Sequence, residues 1–235
     1  PEATKKWAAY FRSKGYAVLE SDAKDGMGTA KFAGAIRELL ADKLRAYAEK
    51  GMVGRVVRVM ILGIPNVGKS TFINKVAGRK TAKTEDRPGV TRSKQWVPID
   101  RGLELLDTPG ILWPKFEDQS VGLNLAFTGA VKDDVVDIEL LAMRLLELLN
   151  ERYHKILCDR YKLTDEETAD IEAYDLLELV ARKRGMLLPG GHVNTERAAI
   201  AVLDEFRSGK IGKITLETPE KPQKKERPAP APLEE

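Results

Sequence analysis

Residues 58–77, RVMILGIPNVGKSTFINKVA, constrain the fold more than any other stretch of the chain. Val59–Leu62 is a short apolar run suited to a buried strand, and Gly63–Ser70 fits G-x-x-x-x-G-K-S. Thr71–Ala77 then carries Phe72, Ile73 and Val76 at helical spacing. A strand, a glycine loop and a helix in that order make a phosphate cradle. Gly63 and Gly68 let the backbone wrap closely and turn its N–H groups inward. The helix start adds partial positive charge. Lys69 is placed to reach the terminal phosphates and the Ser70 hydroxyl to ligate Mg²⁺. A glycine turn that merely happens to precede a lysine would need neither flanking element. The expected fold class is therefore α/β with a P-loop.

The 235 residues are 43% hydrophobic, enough for one large domain or two small ones. Lys+Arg 39 against Asp+Glu 36 leaves a net charge of +3, too mild by itself to argue for a nucleic-acid partner. The one cysteine, Cys158, excludes an intrachain disulfide and a Cys-built zinc centre, and fits a reducing cytoplasm. No apolar run approaches the ~20 residues of a membrane span, so no membrane partner is expected. The chain opens at Pro1 without Met, inside what reads as a helix start, which predicts further residues before it.

Taken in order, Pro1–Lys14 reads as a helix with Trp7, Tyr10 and Phe11 on one face, ended by Gly15. A strand is expected at Tyr16–Leu19, a loop at Ser21–Gly26 and a helix over Lys31–Lys50. Gly51–Arg55 links these to the cradle. Beyond it, 78–93 is polar and contains Arg87-Pro88-Gly89-Val90-Thr91. Trp96–Ile99 and Leu103–Leu106 read as strands joined through Asp100-Arg101-Gly102, and they deliver Asp107-Thr108-Pro109-Gly110-Ile111. From about Gly122 the pattern turns helical. Val135–Leu163 is Leu-rich, Thr164–Glu167 matches a capping box, Leu176–Arg184 continues, and Asn194 opens a helix that Gly209 ends. The expected organisation is an α/β domain over 1–121, an all-helical domain over 122–218 and a disordered, Pro- and charge-rich tail over 219–235.

The DTPG motif ending a strand supplies an aspartate that can hold Mg²⁺ and a Gly110 N–H that can sense a γ-phosphate. Thr91, in the loop between cradle and DTPG, can supply a second hydroxyl to the metal. The three elements together resemble those of Ras-like GTPases. Such proteins read guanine with an NKxD segment and a Ser-Ala-Lys-like loop, both normally after DTPG. Neither lies there in this chain. Upstream, Ser21-Asp22-Ala23-Lys24 follows a candidate strand and precedes a long helix, as the Ser-Ala-Lys loop does. The base-reading half comes first and the phosphate half second, the pattern of a circularly permuted GTPase. This order also predicts NKxD before Pro1. Right-handed strand–helix units keep their ligand-bearing loops at the same strand ends when one connection is cut and the old termini are joined.

With GIPNVGKS, RPGVT and DTPGI, the basic segments Arg182-Lys183-Arg184-Gly185 and Phe206–Lys213 resemble the ribosome biogenesis GTPase A (RbgA/YlqF) family up to Pro219. The resemblance implies a slow GTPase that binds GTP and GDP, acts as an assembly factor for the large ribosomal subunit, and uses Mg²⁺. It implies nucleotide contacts from Asn66, Val67, Gly68, Lys69, Ser70, Thr71 and Gly110, and guanine contacts from Ser21, Asp22, Ala23 and Lys24. Lys69, Thr91 and Asp107 would carry catalysis, with Ser70, Thr91 and Asp107 around the metal. Asn66 either helps bind K⁺ or stabilises the loop. Arg182, Lys183, Arg184, Arg207, Lys210 and Lys213 are candidates for rRNA phosphates, or are solvated helix-end cations. Ile111 stands where many GTPases place a water-orienting Gln, so unassisted turnover should be near or below ~10⁻⁴ s⁻¹. Neither His154 nor His192 lies in a motif that replaces that Gln. His154 reads as a helix-packing residue, and His192 as a loop residue with a local or RNA-contact role. The alternative function is a GTP-gated rRNA-binding scaffold whose hydrolysis is incidental. An ATP-dependent phosphotransferase would leave DTPG and Ser21–Lys24 without a role.

Overall fold

The computed structural model describes residues 2–52, 54–78, 95–112 and 118–219. Arg87–Thr91, with the expected metal ligand Thr91, lies outside the described residues, as does the expected tail beyond 219. The chain forms two compact units: Ser21–Ile214, and a smaller one from the described parts of Pro1–Glu20 and Thr215–Glu235.

In the smaller unit, α1 (Glu2–Ser13) matches the expected helix. Its Trp7 and Phe11 rings stack at 5.7 Å, Tyr10 meets Phe11 edge-on, and Trp7 Nε1 donates to the Glu217 carbonyl. The strand expected at Tyr16–Leu19 does not form. The Tyr16 N–H donates to Phe11 O, closing the helix end through Gly15 at φ 83°. Among the described residues no strand pairs with this stretch, and apolar content alone does not replace a ladder.

In the larger unit, the helix expected over Lys31–Lys50 is broken at Leu40 into α2 (Phe32–Leu39) and α3 (Ala41–Glu49). β1 (Val57–Met60) leads to the glycine loop and α4 (Lys69–Ala77), which starts two residues earlier than the apolar pattern suggests because Gly68 acts as its N-cap. β2 (Gln95–Asp100) and β3 (Leu103–Asp107) form the expected hairpin, turning through Gly102 at φ 73°. The sheet order is β1-β3-β2, with β1 parallel and β2 antiparallel to β3, and with Val59 and Val97 both opposite Leu105. Val97, Leu105 and Ile73 form the core between sheet and α4, and Phe32, Val59 and Ile99 pack against it. The two-residue period of β3 puts Asp107 on the same buried face as Leu103 and Leu105.

After 118 the described chain is mainly helical. α5 (Gln119–Phe127) had no clear sequence signal; Asp118 caps it by accepting the Ser120 N–H. The long pattern from Val135 divides into α6 (Ile138–Arg152) and α7 (His154–Tyr161) at Tyr153, whose φ −136° leaves the helix. Thr164 and Glu167 complete both bonds of the capping box at α8 (Asp165–Thr168). α9 (Ala173–Lys183) and α10 (Thr195–Arg207) follow, the latter capped by Asn194. Between them Leu187 and Val193 make an isolated antiparallel bridge, a small β feature that no sequence pattern announced. Leu141, Leu145, Leu146 and Leu149 of α6 are buried with Leu177 and Val180 of α9 and Val202 and Leu203 of α10. That spacing, one apolar stripe per helix, explains why these helices bundle. The boundary expected after residue 121 falls inside the larger unit, close to the start of α5.

Candidate functional site

The site begins where β1 ends. Asn66 and Gly68 both adopt left-handed conformations, φ 58° and 88°, which fold 63–68 back on itself before α4 starts. A Cβ at Gly63 would sit 3.3 Å from Val67 and 3.5 Å from Lys69, so the loop closes tightly around its first glycine. Lys69 Nζ donates to Gly63 O at 3.1 Å and Ile64 O at 2.7 Å. Burial holds its ammonium below the usual lysine range, and the Asp107 carboxylate opposes part of that shift. Asp107, 2% exposed, therefore puts negative charge within electrostatic reach of Lys69 from the end of β3.

DTPG and the residue after it are tied to the end of β1 and to the loop. Thr108 Oγ1 donates to Ile61 O at 2.6 Å, and the Ile111 N–H donates to Gly63 O at 3.2 Å. A Cβ at Gly110 would fall 2.5 Å from Pro65 Cα and N, a contact no side chain can make without moving backbone. Glycine at 110 is thus required by Pro65 itself. Ser70 and Thr71 lie in the first turn of α4 beside these groups.

A cleft of about 600 Å³ joins the two halves of the sequence. Ser21, Asp22 and Ala23 line it from one side and Val67, Gly68 and Lys69 from the other, with Phe32 and Phe72 at its wall. Lys24 is not among the lining residues; its N–H donates to Asp22 Oδ1 at 2.8 Å, and the Asp25 N–H donates to the same oxygen. Asp22 thereby shapes the loop as an Asx turn. Two further contacts and one buried residue seat that loop over α4. Gly26 lies under the end of the Lys75 side chain, Thr29 is buried, and Phe32 meets Phe72 edge-on at 5.2 Å. None of these carries a motif, and only the spacing of Phe32 and Phe72 on their own helices hinted at them.

The basic residues separate into two classes. Arg207 Nη1 and Nη2 donate to both Asp133 oxygens, and Nε and Nη2 donate to the carbonyls of Phe127 and Ala126. Arg184 pairs with the buried Glu205, which also takes a two-pronged contact from Arg160. Lys183 pairs with Glu167 at 2.7 Å and Arg182 with Glu178 at 3.3 Å. Lys210 and Lys213 are exposed. Arg207, mostly buried, and Arg184, exposed but paired with Glu205, thus both carry acidic partners within the fold. Clustering by sequence alone could not separate them from the exposed lysines.

His154 Nε2 lies 2.8 Å from Thr168 Oγ1 and 3.5 Å from Cys158 Sγ, while Nδ1 faces Asp165 at 3.7 Å. The ring thus ties α7 to α8, and ligand atoms of His154, Cys158 and Asp165 lie within 4.8 Å of one another. Burial pushes the Cys158 thiol up, which makes it a poor nucleophile. His192, in the 189–192 turn, donates no side-chain contact that the cleft uses; its carbonyl accepts the Leu188 N–H.

Residues 58–181 match the family model described as 50S ribosome-binding GTPase. Ribosome biogenesis GTPase A of Bacillus cereus is 45% identical over 217 residues, covering 92% of this chain and 72% of the relative. Its counterpart in Thermotoga maritima is 29% identical, with 93% and 72% covered. The solved structure of GDP-bound YlqF is similar at TM-score 0.56 and 28% identity, covering 94% of this chain and 78% of that one.

Proposed function

Because the chain belongs to the 50S ribosome-binding GTPase family, we propose that this GTPase spends its hydrolysis on assembly of the large ribosomal subunit, in the cytoplasm. The reading rests on one observation, the cleft lined by Ser21–Ala23 and Val67–Lys69 together. Guanine would lie against the 21–24 loop and the phosphates against 66–71. Gly110, seated on Pro65, would report the γ-phosphate through its N–H.

The oxygen donors suit a hard divalent cation: the Ser70 hydroxyl in the first turn of α4 and the buried Asp107 carboxylate, with Thr91 as a third ligand. Mg²⁺ held there would neutralise charge on the phosphates. Lys69, already desolvated, supplies the protein's own cation to the same oxygens. Asn66 is assigned a monovalent cation through its amide oxygen, so turnover should be higher in K⁺ than in Na⁺ at equal ionic strength. Ile111 is 61% exposed and has no group to orient water, so the water-orienting group comes from elsewhere than this position.

The rRNA-facing surface is assigned to residues 122–218, with Lys210, Lys213 and Arg182 as the phosphate contacts. Full-length protein should hydrolyse GTP at least about tenfold faster with large subunits than alone. Absence of stimulation, or equal competition by ATP, would overturn the proposal.

A further inference from the structure

Gly129 follows α5 in a left-handed conformation, φ 72°, and its N–H donates to Ala126 O. A Cβ placed on it would lie 3.0 Å from Asn66 Nδ2 and 3.2 Å from Arg207 Nε. A side chain at 129 would therefore crowd both a phosphate-loop amide and a guanidinium from the end of α10. Arg207 is itself fixed: four hydrogen bonds tie it to Ala126 O, Phe127 O and both oxygens of Asp133. Its side chain is 18% exposed and that of Asp133 45%. Planar donors spread over four acceptors hold the last turn of α5 in one position, as a lysine's single ammonium could not.

Asn66 sits in the left-handed region in the middle of the phosphate loop. Its orientation decides where the neighbouring loop N–H groups point, and displacements well below 1 Å in such groups are costly to catalysis. We propose that Arg207 and Gly129 are positioning residues for the phosphate loop, Arg207 clamping the end of α5 so that Gly129 backs the Asn66 amide. The proposal rests on the GTPase reading and adds to it a contact through which α10 sets turnover. It also gives Arg207 a task that requires no RNA.

The test measures kcat, KM, GDP affinity and melting temperature of the full-length protein without ribosomal particles, for Arg207→Lys, Gly129→Ala, Asn66→Ala and the Gly129→Ala/Asn66→Ala pair. Arg207→Lys keeps the charge, so a phosphate contact would survive it, whereas a clamp would not. It should lower kcat about tenfold with KM within about twofold. Gly129→Ala should cost about tenfold in kcat in the native background but under about threefold beside Asn66→Ala, because the methyl group then no longer displaces the loop amide, Arg207 remaining its other neighbour. The part of its thermal cost that comes from the strained φ should persist in both backgrounds. Equal kcat losses in the two backgrounds, or an Arg207→Lys enzyme with native kcat, overturn the proposal. Should Gly129→Ala not fold, Arg207→Lys decides alone. Failure of the unmodified protein to bind GDP would instead strike the GTPase reading itself.

Discussion

Replacing Glu205 by Gln is the sharpest perturbation of the helical part of the chain. Glu205 is 7% exposed; its Oε2 accepts from Arg160 Nε at 2.9 Å and its Oε1 from Arg160 Nη2 at 2.6 Å and from Arg184. The glutamine keeps the shape but leaves two guanidinia facing a neutral amide that can accept through one atom. Removing one partner of a fully buried pair costs ~3–5 kcal/mol. Here Arg160 and Arg184 keep 28% and 35% of their side-chain surface, so water recovers part of the loss. We expect about 2–3 kcal/mol after that discount, or roughly 4–12 °C in melting temperature for a chain of this size. The pH dependence follows from the same contacts. Burial alone would raise the Glu205 carboxyl, but Arg160 and Arg184 outweigh it and hold the group below its usual 4.5. A lowered carboxyl adds stability that is present above the unfolded value and lost as pH falls through the folded one. Calorimetry at pH 7 and at pH 3 should therefore show a large gap between native and Glu205→Gln proteins that narrows in acid. A gap of under 1 °C at pH 7, or one that is no smaller at pH 3, would refute the reasoning.

Gly110→Ala should lower GDP affinity and turnover by about tenfold or more, because its methyl group cannot fit against Pro65 without moving the loop; equilibrium binding of a fluorescent GDP analogue checks this. Phe32→Leu and Phe72→Leu, combined in a double-mutant cycle, should show coupling of about 0.5–1.5 kcal/mol, the worth of their edge-on contact. Additive losses would mean that the 21–24 loop is held by other means. Lys210→Glu with Lys213→Glu should weaken association with large subunits, flatten its salt dependence and leave the melting temperature unchanged. Arg184→Glu, by contrast, should destabilise the fold through Glu205.

What the sequence disclosed follows from the range of the interactions involved. The glycine loop, the β2–β3 hairpin, the Thr164 capping box and the Asn194 cap are local, and their residues sit within a few positions of what they contact. Tyr16–Leu19 misled because a strand depends on its neighbour, and Tyr16 spends its N–H on closing α1. The Leu40 and Tyr153 breaks were invisible because apolar spacing runs through them unchanged. The basic runs divided only once partners distant in sequence, Glu205 and Asp133, were placed beside them.

Two long-range contacts fall on consecutive residues of the phosphate loop, Gly110 on Pro65 and Gly129 beside Asn66. Both positions are glycine; a Cβ would clash with Pro65 backbone at 110 and be crowded by side chains at 129, and the two bound the segment that runs from DTPG through α5. That segment therefore leaves the loop at one end and returns to it at the other. A shift of Gly110 away from Pro65 would relax one edge of the loop while Gly129, held through Arg207 and Asp133, kept the other in place. A strand-end motif and a helix end thus press on the same two peptide units. This arrangement predicts that substitutions at Gly110 and Gly129 are strongly non-additive, since each alters the surface on which the other bears. Losses in GDP affinity that simply multiply in the double variant would separate the two contacts and leave α5 without leverage on the loop.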